Sequence, residues 1–349
     1  MFSAKKKLSS IIVFLIVLQL NIPYFVSTAQ KEPISVVLKN DGFFAENITL
    51  EDDAFHKSNT LIHIETWYFD AKFDNNRTIV FVYCLFQIYN KGFLLHGVYV
   101  YENATIEFID RNITRLNYCT ISYDKPSLLI GESHCIQGYI DNDTGEWKYS
   151  IRMVTKEALI NLSFTQTAAG WMGTHLLGWW LAIPHFKVTG CIETSEEILQ
   201  VSGTGYHDHN LYPSNVAFLT DGYHFGSFGG DQLRITWARL LKDHQSPEVF
   251  ALLSEGESRF SLIPADDVQV SVHEYLFDHG KKIPKKWSIT VNNENVNINL
   301  SATIIDAHFI KIIGVRYWRY HLQVTGTMQV GSLIEHINTK EISELLYFF

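Results

Sequence analysis

Two imidazoles, a carboxylate, a phenol and an amide occupy five consecutive residues, Tyr206-His-Asp-His-Asn210, directly behind Gly203 and Gly205. On an extended strand successive side chains face opposite ways. His207 and His209 then share one face, and Tyr206, Asp208 and Asn210 the other. The first face offers two imidazoles at metal-ligand spacing, with Glu65 as a third donor. The second offers Asp208 as a proton donor or acceptor, oriented by Tyr206 and Asn210. A third use of the same residues is a strand end knitted into a domain interface by polar bonds. Far upstream, His63-Ile-Glu-Thr-Trp-Tyr-Phe69 sits in an apolar, strand-like run, and apolar runs rarely carry charge without a partner. His63, Glu65 and Trp67 share one of its faces. Glu65 is either a ligand-anchoring or acid-base group, or a structural carboxylate bonded to backbone amides at a barrel end. The two clusters together point to one composite site.

Trp171-Met-Gly-Thr-His175 and Gly178-Trp-Trp-Leu-Ala-Ile-Pro184 add aromatics and another imidazole. Trp171, Trp179 and Trp180 can wall an apolar pocket and stabilise a cation through their π faces, or simply fill a core. Gly222-Tyr-His-Phe-Gly-Ser-Phe-Gly-Gly230 lacks the Gly-Lys-Ser/Thr of a phosphate loop and reads as a turn between strands. No Gly-x-Ser-x-Gly elbow occurs. The expected chemistry is acid-base, with no cofactor and no resident metal.

The N-terminus has the organisation of a secretory signal: Lys5–Lys7, an apolar run from Ile11 to Leu18, and Ser27-Thr-Ala29 before Gln30. The expected segments are 1–29 as signal peptide, 30–194 as a first barrel and 195–349 as a second, divided at Thr194-Ser-Glu-Glu197. No later stretch reads as a membrane span. Export gives meaning to seven Asn-x-Ser/Thr sequons, at Asn47, Asn76, Asn103, Asn112, Asn142, Asn161 and Asn299. It also favours disulfides over thiols for the four cysteines. Three pairings are possible, and Cys119 with Cys135 across a hairpin, leaving Cys84 for Cys191, is the expected one. Residues 1–29 hold three lysines and no acid, so their loss takes the formal charge from −9 to −12, which argues against nucleic acid or anionic lipid as a partner.

The elements that must position these residues are strands. Short runs rich in Val, Ile, Tyr, Phe and Thr recur at 78–88, 93–101, 148–154, 287–291 and 317–324. Turns are read at 74–76, 90–92, 141–145 and 292–295. The fold class is all-β, with antiparallel barrels or sandwiches rather than βαβ units. Val188-Thr-Gly190, Val201-Ser-Gly203 and Val324-Thr-Gly326 form a faint internal echo.

Glu65-Thr-Trp-Tyr-Phe69, Val188-Thr-Gly190, Gly203-Thr-Gly-Tyr-His-Asp-His-Asn210 and the Arg319 strand running into Val324-Thr-Gly326 resemble, in that order, a family of tandem lipocalin-like proteins. That family includes carotenoid 1,2-hydratase (hydroxyneurosporene synthase), AttH-like proteins and fungal Diels-Alderases. The resemblance implies two tandem lipocalin-like antiparallel β-barrels side by side, a hydrophobic cavity near their junction, and Asp208 as the acid that protonates an alkene. The chain departs from the family pattern after Asn210, where Leu211-Tyr212-Pro213 replaces Trp-Gly.

The expected protein is thus an exported, hydrophobic-ligand-binding hydratase, isomerase or cyclase acting on an isoprenoid or polyketide-like small molecule. Asp208, Tyr206 and Asn210 would be catalytic, and His63, Glu65, Trp67, His175, Trp179, Trp180, His207 and His209 would line the ligand site. A non-catalytic carrier, or a metal-dependent enzyme using His207, His209 and Glu65, are the alternatives.

Overall fold

The structure is a computed structural model that describes residues 44–57, 61–89, 91–175, 178–213, 220–242, 248–312 and 315–348. The expected signal peptide and cleavage site lie outside these residues, as does Asn90 of one expected turn.

Alternation of apolar and polar residues drives nearly all of the described chain into antiparallel strands, which form two lipocalin-like sheets. In neighbour order the first sheet runs Thr105–Arg115, Lys91–Glu102, Arg77–Ile88, Ile62–Phe73, Ile198–Tyr212, Gly178–Thr194, Ala158–Gln166, Trp147–Val154, Ser133–Ile140, Ser127–Ile130 and Cys119–Ile121. Two further short strands, Phe44–Asn47 and Trp171–His175, pair with each other, and the latter also pairs with Gly178–Thr194. This sheet curls into a nearly closed barrel around a core that includes Phe69, Phe81, Tyr149, Ile160, Phe164 and Phe186. The second sheet runs Arg259–Ile263, Glu248–Glu255, Leu233–Leu241, Gly222–Gly229, Leu333–Phe348, Val315–Val330, Val296–Ile312, Lys281–Asn292 and Val268–Asp278. It curves as a half-barrel over Trp237, Trp287, Trp318 and their neighbours. A third apolar cluster lies between the sheets, with Tyr68, Trp171, Trp180 and Tyr206 on one side and Phe225, Phe250, Leu252 and Tyr317 on the other. Among the described residues no helix is long and apolar enough to cross a membrane.

Three expectations are corrected by register. Ile198–Tyr212 belongs to the first sheet, so passage between the sheets falls between Tyr212 and Gly222. The acidic stretch at Thr194 is a hairpin turn closed by Thr194 N–H donating to the Glu197 carbonyl at 2.9 Å. Gly222–Gly229 is a strand and not a turn, its small residues letting Trp237 and Phe228 pack against Gly226. All four cysteines are thiols. Cys84 is level with Thr66, Thr66 with Asn210 and Asn210 with Trp180, so Cys191 lies two intervening strands and eleven residues away from it. Cys119 and Cys135 flank Ser127–Ile130 on its two sides, which sets their backbones about 9–10 Å apart, beyond disulfide reach.

The internal echo has a structural basis. Gly190 and Gly326 adopt φ of 157° and 147°, and a Cβ on either would stand 2.1 or 2.0 Å from the carbonyl oxygen of Asn161 or Asn299. Each lies opposite a leucine in Asn-Leu-Ser, Leu162 or Leu300. The two halves therefore share a backbone approach that only glycine permits. Gly203 and Gly205 serve the chemistry-bearing strand similarly: added Cβ atoms would meet the carbonyl oxygens of Lys72 at 1.9 Å and Asp70 at 2.6 Å. These glycines let Ile198–Tyr212 lie close on Ile62–Phe73. Gly203→Ala should lower unfolding free energy by about 2–3 kcal/mol in urea titrations, because backbone must move to admit one methyl group. An unchanged midpoint would show the approach to be slack.

Candidate functional site

The strands Ile62–Phe73 and Ile198–Tyr212 pair with Trp67 level with His209, Tyr68 with Asp208 and Phe69 with His207. Alternation then sends the two polar sets to opposite sides of one sheet. His63, Glu65, Trp67, His207 and His209 point into the first barrel, while Tyr206, Asp208 and Asn210 point toward the second sheet. The expected composite site is therefore two sites, back to back. Glu65 and His209 do meet, but His63 and Glu65 do not share a pocket with Asp208.

Inside the barrel, two buried carboxylates are tied by imidazoles. Asp53, in the turn before Ile62–Phe73, accepts from His209 Nδ1 at 2.9 Å, His207 Nε2 at 3.1 Å and the Tyr149 hydroxyl at 2.6 Å. Glu65 accepts from His209 Nε2 at 2.8 Å, His63 Nε2 at 2.8 Å, His56 Nδ1 at 2.7 Å and the His56 backbone N–H at 3.1 Å. His207 reaches the Tyr68 carbonyl through its other nitrogen, at 2.8 Å. Phe69 stacks on His207 at 3.9 Å and Trp67 on His209 at 4.4 Å, and Trp179 meets His209 edge-on at 5.1 Å. Burial alone would raise both carboxyls, yet the histidine charges and hydrogen bonds hold Asp53 and Glu65 well below the usual carboxylate range. Burial opposes the charge of His209, but its bonds to Asp53 and Glu65 outweigh that and push it up to about 9. Asp53 and His56 were not legible as site residues, because they stand singly in a turn segment without period or motif.

Across the sheet, Asp208 accepts from the Tyr206 hydroxyl at 3.0 Å and the Asn210 amide at 2.9 Å. Burial, then the charge of Glu344, holds its carboxyl well above the usual range, and the Tyr206 bond offsets this only in part. Tyr68, level with Asp208 on the neighbouring strand, has a buried hydroxyl with no hydrogen-bond partner among the described residues. From the second sheet, Glu344 takes a short hydrogen bond from the Tyr317 hydroxyl and lies 3.5 Å from Arg319 Nε. Arg319 is itself buried, donating to Tyr101 and Tyr317 and lying 4.6 Å above the Tyr99 ring. Trp180 meets Trp171, Phe225 and Phe250 edge-on at 4.7–5.8 Å. Trp171 and Trp180 thus wall the junction, while Trp179 faces the barrel interior. His175 lies in the strand Trp171–His175, and its side chain is outside those described. The metal set of the alternative reading, His207, His209 and Glu65, is not formed, since His207 is spent on Asp53 and the Tyr68 carbonyl.

No protein-family profile matches the chain, and no curated protein matches it by sequence. Solved structures match it by fold. An AttH protein from Nitrosomonas europaea is 16% identical with a TM-score of 0.63, over 86% of this chain and 96% of that one. Kievitone hydratase from Nectria haematococca is 10% identical with a TM-score of 0.53, over 81% and 88% respectively. These are the AttH-like and hydratase folds that the sequence resemblance named.

The two faces should respond oppositely to loss of a carboxylate. Glu65→Gln leaves buried imidazoles without their acceptor and should cost about 3–5 kcal/mol in urea unfolding; a cost below 1 kcal/mol would show that the network is not load-sharing. Asp70, on the junction face, is raised to about 6 by burial, with Lys72 opposing and Glu341 adding to the rise. A raised folded pKa means stability present below the unfolded value of 3.8 and lost as pH rises through about 6. Asp70→Asn should therefore stabilise the fold at pH 8 by up to roughly 3 kcal/mol and leave it unchanged at pH 3, as read from unfolding midpoints. A gain of equal size at both pH values would contradict this.

Proposed function

We propose that this protein binds an unsaturated hydrophobic small molecule, isoprenoid or polyketide-like, at the junction of its two sheets and acts on it by acid-base chemistry without a redox cofactor. The observation that carries this reading is Asp208: a buried carboxyl fixed by Tyr206 and Asn210 and aimed into an aromatic layer formed by both sheets. In the proposed step, Asp208 gives its proton to one carbon of an alkene, forming a C–H bond and a carbocation at the other. The π faces of Tyr68, Trp180 and Phe225 would stabilise that cation. Water then adds to it, and the proton released returns to the Asp208 carboxylate, so the net change is addition of water. Capture by a second alkene followed by proton loss would give cyclisation instead. The Tyr68 hydroxyl, without a partner among the described residues, would donate to an oxygen of the ligand. Glu344, anchored by Tyr317 and Arg319, is a further carboxyl at the junction and a candidate base. The hydratase among the solved structures of this fold supports the reaction class, as analogy.

Export belongs to the same reading. The side chains of Asn47, Asn76, Asn103, Asn112, Asn142 and Asn299 are exposed and Asn161 is half-buried, which supports a glycosylated, extracytoplasmic protein. Intact mass of protein secreted by the native host tests this, with cleavage before Gln30 and hexose-bearing peptides as the expected result.

One observation favours a non-catalytic carrier: Asp208 is only 8% exposed, so the junction closes tightly over it. Asp208→Asn separates the two readings. The amide is nearly isosteric with the neutral acid, so fold and retention of the ligand co-purified from the host should persist, while turnover of that ligand falls by at least about a thousandfold. Turnover unchanged in the variant would remove Asp208 from the chemistry. Ligand retention with no turnover by either protein would make it a carrier.

A further inference from the structure

Three side chains inside the first barrel present their remaining polar atoms to one point. His56 Nδ1 and His209 Nε2 each lie against Glu65 Oε1, at 2.7 and 2.8 Å, and the three ligand atoms lie within 4.8 Å of one another. The other polar atom of two of them is already committed. His209 Nδ1 is taken by Asp53 at 2.9 Å, and Glu65 Oε2 by His63 Nε2 at 2.8 Å. A carboxylate behind a histidine is the outer-shell arrangement that fixes ring orientation and raises ligand basicity in metal sites. His209 thus has its rear nitrogen held and its front nitrogen aimed at the shared point.

We propose that His56, Glu65 and His209 form a binding site for one divalent cation of the zinc class, with Asp53 and His63 as the residues that orient the ligands. Two imidazoles and a carboxylate are a donor set suited to zinc. Zinc–ligand bonds of about 2.0–2.1 Å set tetrahedral ligand atoms about 3.3 Å apart, so the two contacts to Glu65 Oε1, now 2.7 and 2.8 Å, would open by about half an ångström around an ion, with the two imidazole nitrogens already within 4.8 Å of each other. Glu65 and His209 are fully buried, whereas His56 is 22% exposed, which gives the ion a way in and leaves room for a water as fourth ligand. Trp67 and Trp179 wall the point on its other sides. The ligands come from the segment ahead of the first long strand and from the two strands that carry the junction residues on their far side. Bound metal would clamp that segment across the barrel. The inference does not rest on Asp208, which lies on the opposite face.

The test uses the full chain, stripped with a chelator and titrated with Zn²⁺ and with Co²⁺. Expected are one zinc per chain by elemental analysis, a tetrahedral Co²⁺ absorption spectrum, and a thermal midpoint that rises on Zn²⁺ addition. His56→Ala, at a part-exposed position that should leave the near-UV circular dichroism unchanged, is expected to weaken Zn²⁺ binding by more than about 100-fold. Asp53→Asn touches no ligand atom used by the metal and is expected to weaken it by about 10–100-fold. Absence of stoichiometric binding at micromolar Zn²⁺, or a folded His56→Ala protein that binds Zn²⁺ as the parent does, would overturn the proposal. Asp208→Asn should bind Zn²⁺ like the parent, so failure at the junction and failure at this site are read separately.

Discussion

Two carboxylates buried inside the first barrel, Asp53 and Glu65, are the constraint on which the rest depends. An ionised carboxylate in an apolar interior is costly unless it is paired and hydrogen-bonded. Here the partners are four imidazoles and a phenol, drawn from the turn segment, the strand Ile62–Phe73, the strand Ile198–Tyr212 and Tyr149. Because side chains alternate with a period of two, a one-residue slip between the paired strands would turn His207 and His209 out of the barrel and Asp208 into it. The network therefore enforces the register, and the register sets the junction face. Gly203 and Gly205 contribute by admitting the backbone contact that this register requires.

The same constraint explains why the halves of the molecule, though related, are not interchangeable. Val188 pairs with Gly203 in the first sheet, and Val324 pairs with Thr339 in the second, so the position of Asp208 corresponds to that of Glu344. The neighbours that face the barrel interior differ: His207 and His209 have Ser343 and Leu345 as their counterparts. The second half fills its interior with Trp237, Trp287 and Trp318, while the first fills its own with a charged network. At the junction the two corresponding acids come under one field and are treated differently. Glu344 has Arg319 and Tyr317, whereas Asp208 has only a hydroxyl and an amide and is pushed toward its neutral form. A pair of acids in unlike surroundings is the arrangement that acid-base chemistry uses.

How much of this was legible in the sequence follows from the range of each interaction. Strand alternation is local, so the division of Tyr206–Asn210 and His63–Phe69 into two faces could be read directly, and the strands and most turns appear where the residue types placed them. What each face would meet is not local. Asp53 and His56 carry no pattern, and only the fold brings them under His209 and Glu65. Glu344 sits in a strand whose composition is unexceptional, and only correspondence with Asp208 singles it out. The cysteine pairing failed because oxidising context says nothing of register, and Cys84 and Cys191 end up on non-adjacent strands at different levels. The acidic turn at Thr194 has the composition of a linker, but a strand that continues the same sheet follows it.

One strand carries the imidazole partners of two ionised carboxylates on its inner face and a neutral acid on its outer face. Infrared difference spectroscopy of the parent against Asp208→Asn at neutral pH, with the carboxyl carbons of aspartate isotopically labelled, tests it most directly. The parent is expected to show a label-sensitive band of a protonated carboxylic acid that is missing in the variant. A difference spectrum showing only loss of an ionised carboxylate would contradict it, because an Asp208 that is charged at rest has no proton to give.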